Sequence, residues 1–330
     1  MNRRVRLPLI LHQFSLFAGQ FNNIRGNIES KNITIMVYFP KNGRMVVSPK
    51  DVLRWSEEVI SSYVSLYSVI PSRVYYVINW NTGKSEGNGL KNGVILGEFG
   101  KEKVNKGLIS HELAHSWFGY YADFKMLNEA FATFSDLYIR NAFDNSLEKN
   151  ALKGKEIIAN IFQNTPEHYY TLYFKGAFVF RSLQFVLGNE TFFEGLRELL
   201  RECHNKECNL TDVQNVFEKV SGQDLDWFFR EWFYTAKVPN YEIENLSLVQ
   251  KSERYSLTFE IIDKNNFTMP IEVEVKTPTK SFIKKVWVNG TARVEFELNE
   301  KPTEIILDPN EWMVNQNKKY NIEGVEIIIE

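Results

Sequence analysis

Residues 111–115 read His-Glu-Leu-Ala-His, and two histidines four apart can act together only if the chain winds into an α-helix here. Side chains at i and i+4 then stand one above the other on a single face, about one turn apart. Both imidazoles can grip one metal ion, and Glu112 between them lies close enough to act on a water held by that ion. The chain has only five histidines, so an accidental match is improbable. The flanks agree with a helix. Residues 104–110 lead into Leu113, Ala114, Trp117 and Phe118, apolar positions at helical spacing, and Gly119 is a natural stop. A helix that is merely polar on one face has no use for two histidines there.

A catalytic zinc ordinarily takes three protein ligands and keeps a position open, so one more side chain is needed after His115. The acids that follow are Asp123, Glu129 and Asp136. Glu129 lies within Met126-Leu-Asn-Glu-Ala-Phe-Ala-Thr-Phe134, a second helix-like stretch. Residues 120–125 reach about 20 Å when extended, ample for a turn between antiparallel helices about 8–10 Å apart. Glu129 is therefore the expected third ligand, and Asp123 falls in the turn itself. Asp136, seven residues beyond Glu129 on the same helix face, is expected to accept a hydrogen bond from a ligating imidazole.

These residues resemble a known family. His111-Glu-Leu-Ala-His-Ser-Trp-Phe-Gly119, followed by Leu127-Asn-Glu-Ala-Phe-Ala-Thr-Phe134, looks like the signature of the aminopeptidase N-like zinc metallopeptidases, a branch of the gluzincins. Tyr173-Phe-Lys-Gly176 resembles the family's Tyr-x-Lys-Gly helix, and the stretches 212–225 and 232–239 resemble the end of its helical region. The resemblance covers most of residues 10–240. It implies a peptidase that holds one zinc ion through His111, His115 and Glu129, uses Glu112 as the proton carrier, and takes a peptide as substrate. It also implies that Tyr173 hydrogen-bonds the oxyanion of the tetrahedral intermediate. A phenol beside the metal suits that task, since such a donor acts on charge that appears only in the transition state.

The chain departs from the family pattern in three places. Thirteen residues, 116–128, separate His115 from Glu129, where the family has eighteen. The family's Gly-x-Met-Glu-Asn strand, whose glutamate binds the substrate's α-amine, is absent from residues 82–98. Glu86 and Glu98 are the nearest acids that could substitute, and no substrate-binding residue is assigned. An endopeptidase of the same chemistry is accordingly the alternative to an aminopeptidase, with a non-catalytic binding scaffold as the reading from a different class. The third departure is size. Residues 1–45 resemble only the tail of the large β-domain that precedes the family's catalytic domain.

The remaining expectations concern architecture and surroundings. Apolar residues recur at helical spacing in 52–66, 129–143, 173–187, 191–201, 210–220 and 225–234, with strands at 74–79 and 94–96. Past Pro239 the period switches to two, in 255–261, 271–275 and 294–298, and Asn289-Gly290 marks a hairpin turn. About seven short strands in ninety residues suggest a sandwich. The expected fold is α+β: a thermolysin-like, mainly helical zinc peptidase domain over 46–238, then an all-β, Ig-like sandwich over 239–330, with 1–45 as a β remnant. A formal net charge of −2 with no long basic run points away from nucleic acid. No apolar run reaches membrane-span length. The apolar run 7–11 is broken by His12 and Gln13 and lacks a small-residue cleavage site, so a cytoplasmic protein is expected. Cys203 and Cys208 read by default as two thiols in a loop between helices, with a local disulfide as the alternative, and oligomeric state is not legible.

Overall fold

A computed structural model describes residues 20–42, 45–80, 86–97, 104–161, 168–315, 318–322 and 327–329. The possible leader in residues 1–19 and the acid Glu98 lie outside them. Helices and sheets are mixed, as expected of an α+β chain.

The first sheet has five strands in the order β1-β2-β3-β5-β4, comprising β1 (Phe21–Ile28), β2 (Ile33–Pro40), β3 (Val74–Trp80), β4 (Gly87–Leu90) and β5 (Gly93–Gly97). β2 runs parallel to β3, with Ile35 opposite Tyr75 and Val37 opposite Val77. The two N-terminal strands, expected as the remnant of a preceding domain, are thus built into the sheet beside the motif helix. Alternation explains this: Ile33, Ile35 and Val37 present one apolar face, which must be covered.

The cover is α1 (Pro49–Tyr67). Ser48 caps it, its hydroxyl accepting from the Asp51 amide at 3.1 Å, and Pro49 opens the first turn. Val52, Ser56, Val59, Ile60, Tyr63, Val64 and Tyr67 form its buried stripe. The Tyr63 hydroxyl reaches the Ser110 carbonyl (3.0 Å) and hydroxyl (2.8 Å), fixing α1 to the motif helix α2 (Lys106–Ala114). The helices α3 (Leu127–Arg140), α4 (Asn145–Ala151), α5 (Gly176–Leu187), α6 (Asn189–Glu202), α7 (Leu210–Ser221) and α8 (Asp226–Phe233) complete the helical part. Stacked Phe118, Phe131 and Phe180 run through its centre, with centroids 4.8 and 4.0 Å apart. The short helix α4 was not anticipated. Residues 173–175, expected as the start of the helix over 173–187, belong instead to a π-helical turn, Tyr170–Lys175, that leads into α5.

After Tyr241 the chain forms β6 (Tyr241–Lys251), β7 (Arg254–Asp263), β8 (Thr268–Lys276), β9 (Ser281–Asn289), β10 (Thr291–Leu298), β11 (Glu304–Leu307), β12 (Lys319–Asn321) and β13 (Ile327–Ile329). Their order is β12-β11-β8-β9-β10-β7-β6-β13. β9 meets β10 at the single pair Asn289 and Thr291, flanking Gly290 at φ 71°, so long ladders run only within two four-stranded groups. The strands dock on the helices through specific contacts. Lys285 Nζ donates to the Phe185 carbonyl at 2.8 Å, and Trp312 stacks on Phe185 at 5.1 Å. Lys318 Nζ meets Glu148 of α4 at 2.7 Å.

Candidate metal centre and cleft

Helix α2 begins where Asn105 Oδ1 accepts from the Leu108 amide at 3.0 Å. Its buried face carries Ile109, Leu113 and Ala114 into the core, which turns His111 and His115 toward α3. There Glu129, in the first turn of α3, meets both. Its Oε2 lies 3.2 Å from His111 Nε2 and 3.5 Å from His115 Nε2. Bonds of about 2.0–2.1 Å to a tetrahedral zinc separate neighbouring ligand atoms by roughly 3.3 Å. The donor set of two imidazoles and one carboxylate therefore fits zinc in both chemistry and spacing. Among the described residues one other trio of carboxylates comes together, Glu218, Asp224 and Asp226, without any histidine.

The second ring nitrogens decide which nitrogen is available to a metal. His115 Nδ1 lies 3.1 Å from the Phe118 carbonyl, which can only accept, so the proton sits on Nδ1 and Nε2 keeps its lone pair. His111 Nδ1 faces Thr133 Oγ1 at 3.4 Å. This corrects the expectation for Asp136. Its two oxygens accept instead from Arg140, Oδ1 from Nε at 2.6 Å and Oδ2 from Nη2. Thr133 is one turn along α3 from Glu129, level with the rings, whereas Asp136 is two turns along and within reach of Arg140.

Electrostatics follow from burial and these pairings. Burial opposes ionisation of Glu129, but hydrogen bonds and charge from His111 and His115 hold its carboxyl far below the ordinary range. Burial pulls His115 down, yet Glu129 beside it leaves the net shift upward. Glu112, 8 % exposed, is raised chiefly by burial, partly offset by the two histidines and a hydrogen bond from the Gly89 backbone. A carboxyl poised to take up a proton thus stands next to the trio.

These groups open into a cleft of about 850 Å³. Strand β4 forms one wall, with Tyr120 Oη donating to the Gly89 carbonyl at 3.0 Å. Tyr173, on the π-helical turn, lines the opposite side, its ring stacked on His111 with centroids 5.5 Å apart. Tyr169 packs on Tyr173 at 4.8 Å and also faces the cleft. Four carboxylates line it among the described residues: Glu112, Asp123, Glu129 and Asp136. Asp123 Oδ1 already accepts from Asn128 Nδ2 and the Lys125 amide, each at 2.8 Å, and Asp136 is held by Arg140. Glu86 is exposed and does not reach the cleft. Thr133, Tyr120 and the Gly87–Gly89 backbone were missed in the sequence. The two close glycines were the available signal.

Cys203 and Cys208 are joined in a disulfide, the alternative to the two free thiols expected by default. The six-residue loop they close lies against the turn between α2 and α3. Crosslinks of this kind belong mainly to oxidising compartments and to the interiors of some hyperthermophiles.

Two helices thus offer His, His and Glu to one point, with a buried glutamate alongside, a group that could hold a metal ion. Comparison with known proteins places it further. Residues 98–232 match the Peptidase family M1 domain, so this part of the chain is similar to that family. The chain is 25 % identical over 217 residues to a leucyl aminopeptidase of Saccharolobus solfataricus, covering 52 % of this chain and 28 % of that protein. It is 30 % identical over 149 residues to a probable aminopeptidase of Sulfurisphaera tokodaii, covering 38 % and 19 %. The chain thus spans under a third of the length of these relatives. In fold it is similar to Legionella pneumophila aminopeptidase A, solved in complex with aspartic acid, with a TM-score of 0.69, 16 % identity, and 91 % of this chain and 38 % of that one covered.

Proposed function

We propose that this chain is a zinc metallopeptidase that hydrolyses peptide bonds, of the aminopeptidase kind. The observation that carries the reading is the approach of Glu129 Oε2 to His111 Nε2 and His115 Nε2 at 3.2 and 3.5 Å. His111, His115 and Glu129 would hold one zinc ion. When bound there, zinc supplies a Lewis acid for the scissile carbonyl and acidifies water toward neutral pKa. Glu112 accepts the proton of the attacking water and returns it to the leaving amine, a role suited to its raised carboxyl. Tyr173 donates its hydroxyl to the oxyanion as it forms. His115 is kept in the ligating tautomer by Phe118, and Thr133 orients His111.

One observation favours the second reading, an endopeptidase of the same chemistry. Among the described residues, the two carboxylates of the cleft outside the metal and proton-carrier set, Asp123 and Asp136, are each already engaged by protein donors, which leaves neither to receive a substrate's α-amine. Hydrolysis of aminoacyl reporters against N-blocked peptides separates the two, because an aminopeptidase requires the unblocked amine. The zinc reading itself is tested by metal analysis and chelation. Activity lost to a chelator and restored by zinc is expected; activity indifferent to both would overturn it.

We further divide the chain near Pro239 into a thermolysin-like domain, whose helical part over 46–238 is joined by β1 and β2 through the shared sheet, and an Ig-like sandwich over 239–330. The two-group pairing of β6–β13 supports the sandwich. No helix among the described residues is long and apolar enough to cross a membrane. The Cys203–Cys208 disulfide weighs against the reducing cytoplasm expected from sequence.

A further inference from the structure

The turn that carries the chain from His115 to Glu129 is held from outside by the crosslinked loop. The Asn205 amide donates to the Tyr121 carbonyl (2.9 Å), the Asp123 amide to Lys206 (3.2 Å), and the Cys208 amide to the Asp123 carbonyl (2.8 Å). The His204 ring stacks on Tyr121 with centroids 4.1 Å apart, and Lys125 pairs with Glu207 at 2.7 Å. From Asp123 the contacts continue inward. Its Oδ1 receives Asn128 Nδ2 at 2.8 Å, and Asn128 Oδ1 receives the Phe124 amide at 2.8 Å. Asn128 directly precedes Glu129.

The loop itself stands on a firm base. Cys203 follows the last residue of α6, and Cys208 precedes Asn209, which caps α7 through a capping box. Both cysteines are buried, and a small surface pocket of about 160 Å³ opens onto them. We propose that the Cys203–Cys208 crosslink is a redox-sensitive brace for the metal site: it holds the 119–126 turn, and through Asp123 and Asn128 keeps Glu129 in register with His111 and His115. Reduction by a dithiol supplies two electrons and two protons, breaks the S–S bond, forms two S–H groups and leaves the reductant as its own disulfide. The loosened loop then no longer templates the turn, and zinc binds more weakly. The inference rests on the zinc reading above.

The test measures zinc affinity rather than turnover. Metal-stripped protein is titrated with zinc against a chromophoric chelator, comparing the disulfide-bonded chain with Cys203→Ser/Cys208→Ser, which offers no new thiol ligands. Groups that orient metal ligands commonly change affinity 10–100-fold, and a weakening of about tenfold or more with circular dichroism retained is expected. Asp123→Ala keeps the crosslink but removes the link to Asn128. In that background loss of the cysteines should have little further effect, because the two changes act along one chain of contacts. Equal affinity in both redox forms overturns the brace, as does an undiminished cysteine effect in Asp123→Ala. A double-serine variant that fails to fold also overturns it, since the crosslink would then be a general staple. If the disulfide-bonded chain binds no zinc at all, the zinc reading falls first and the brace with it.

Discussion

Gly89 runs against His115 so closely that a Cβ built on it would stand 2.7 Å from the His115 Cβ and 2.8 Å from the Glu112 carbonyl oxygen. The second contact is backbone and cannot swing aside. Gly89→Ala must therefore push β4 off α2, at an overpacking cost of about 1–3 kcal/mol. It also withdraws the backbone hydrogen bond to Glu112. A fall in kcat/KM of about tenfold or more, with Tm lowered by only a few degrees, is expected. Unchanged kcat/KM would mean that β4 does not set the position of Glu112.

Glu112→Gln keeps shape and leaves the three ligating side chains untouched while removing the proton acceptor. Turnover should fall by about 10²–10⁴, with zinc content near that of the unaltered protein. Retained turnover would remove Glu112 from the mechanism, whereas loss of zinc would recast it as a structural support.

Tyr173→Phe deletes one hydroxyl and preserves the ring stacked on His111. If that hydroxyl meets charge only in the transition state, kcat should drop about 10²–10³-fold with KM little changed. A raised KM at constant kcat would assign Tyr173 to substrate binding instead.

Thr133 stands beside His111 where the sequence led one to expect Asp136, and Asp136 pairs with Arg140 instead. Thr133→Val removes the group 3.4 Å from His111 Nδ1 and should weaken zinc binding by about tenfold. Asp136→Asn should leave zinc affinity within about twofold and lower thermal stability, because it disturbs the bidentate Arg140 pair. Zinc titration and melting of both variants check the split. The reverse assignment would restore Asp136 as the partner of His111.

The comparison shows what was legible. Helices α1, α3, α5, α6, α7 and α8 each carry a buried stripe at helical spacing, so their residues announced them. The meeting of His111, His115 and Glu129 was legible because helix geometry puts residues four apart on one face and the short turn lets the next helix bring Glu129 back beside them. Asp136 failed for a reason inside the same geometry: seven residues lie on one face but about 10.5 Å along it, out of reach of the ring that Thr133, about 6 Å along, can touch. Strand β4 could not be read. Gly87-Asn88-Gly89-Leu90 has neither β-propensity nor alternation, and its place comes from antiparallel pairing with β5. The Cys203–Cys208 crosslink was left undecided because spacing alone does not say whether two cysteines face each other.

Helix α4 and the C-terminal segment meet at a buried cluster of charges. Lys318 Nζ is shared by Glu148 at 2.7 Å, Asp308 at 3.8 Å and Glu311, and the Asn315 amide donates to Glu148 Oε1 at 2.8 Å. Three carboxylates thus share one buried cation. Burial first, and the excess of negative charge with it, pushes Glu148 up to about 7 and Asp308 up to about 6. Between about pH 4.5 and 7 the folded protein holds a proton on Glu148 that the unfolded chain releases, so stability declines as pH rises through this window. The contribution is fully present below the unfolded value and gone above the folded one. Glu148→Gln mimics the protonated form at every pH. Its stability relative to the unaltered protein should therefore grow from pH 5 to 8, by on the order of 3 kcal/mol at about 1.4 kcal/mol per pKa unit. Denaturant melts of the two proteins across that range measure the difference directly. A variant that instead loses ground as pH rises would show that Lys318 compensates Glu148 fully in its ionised form.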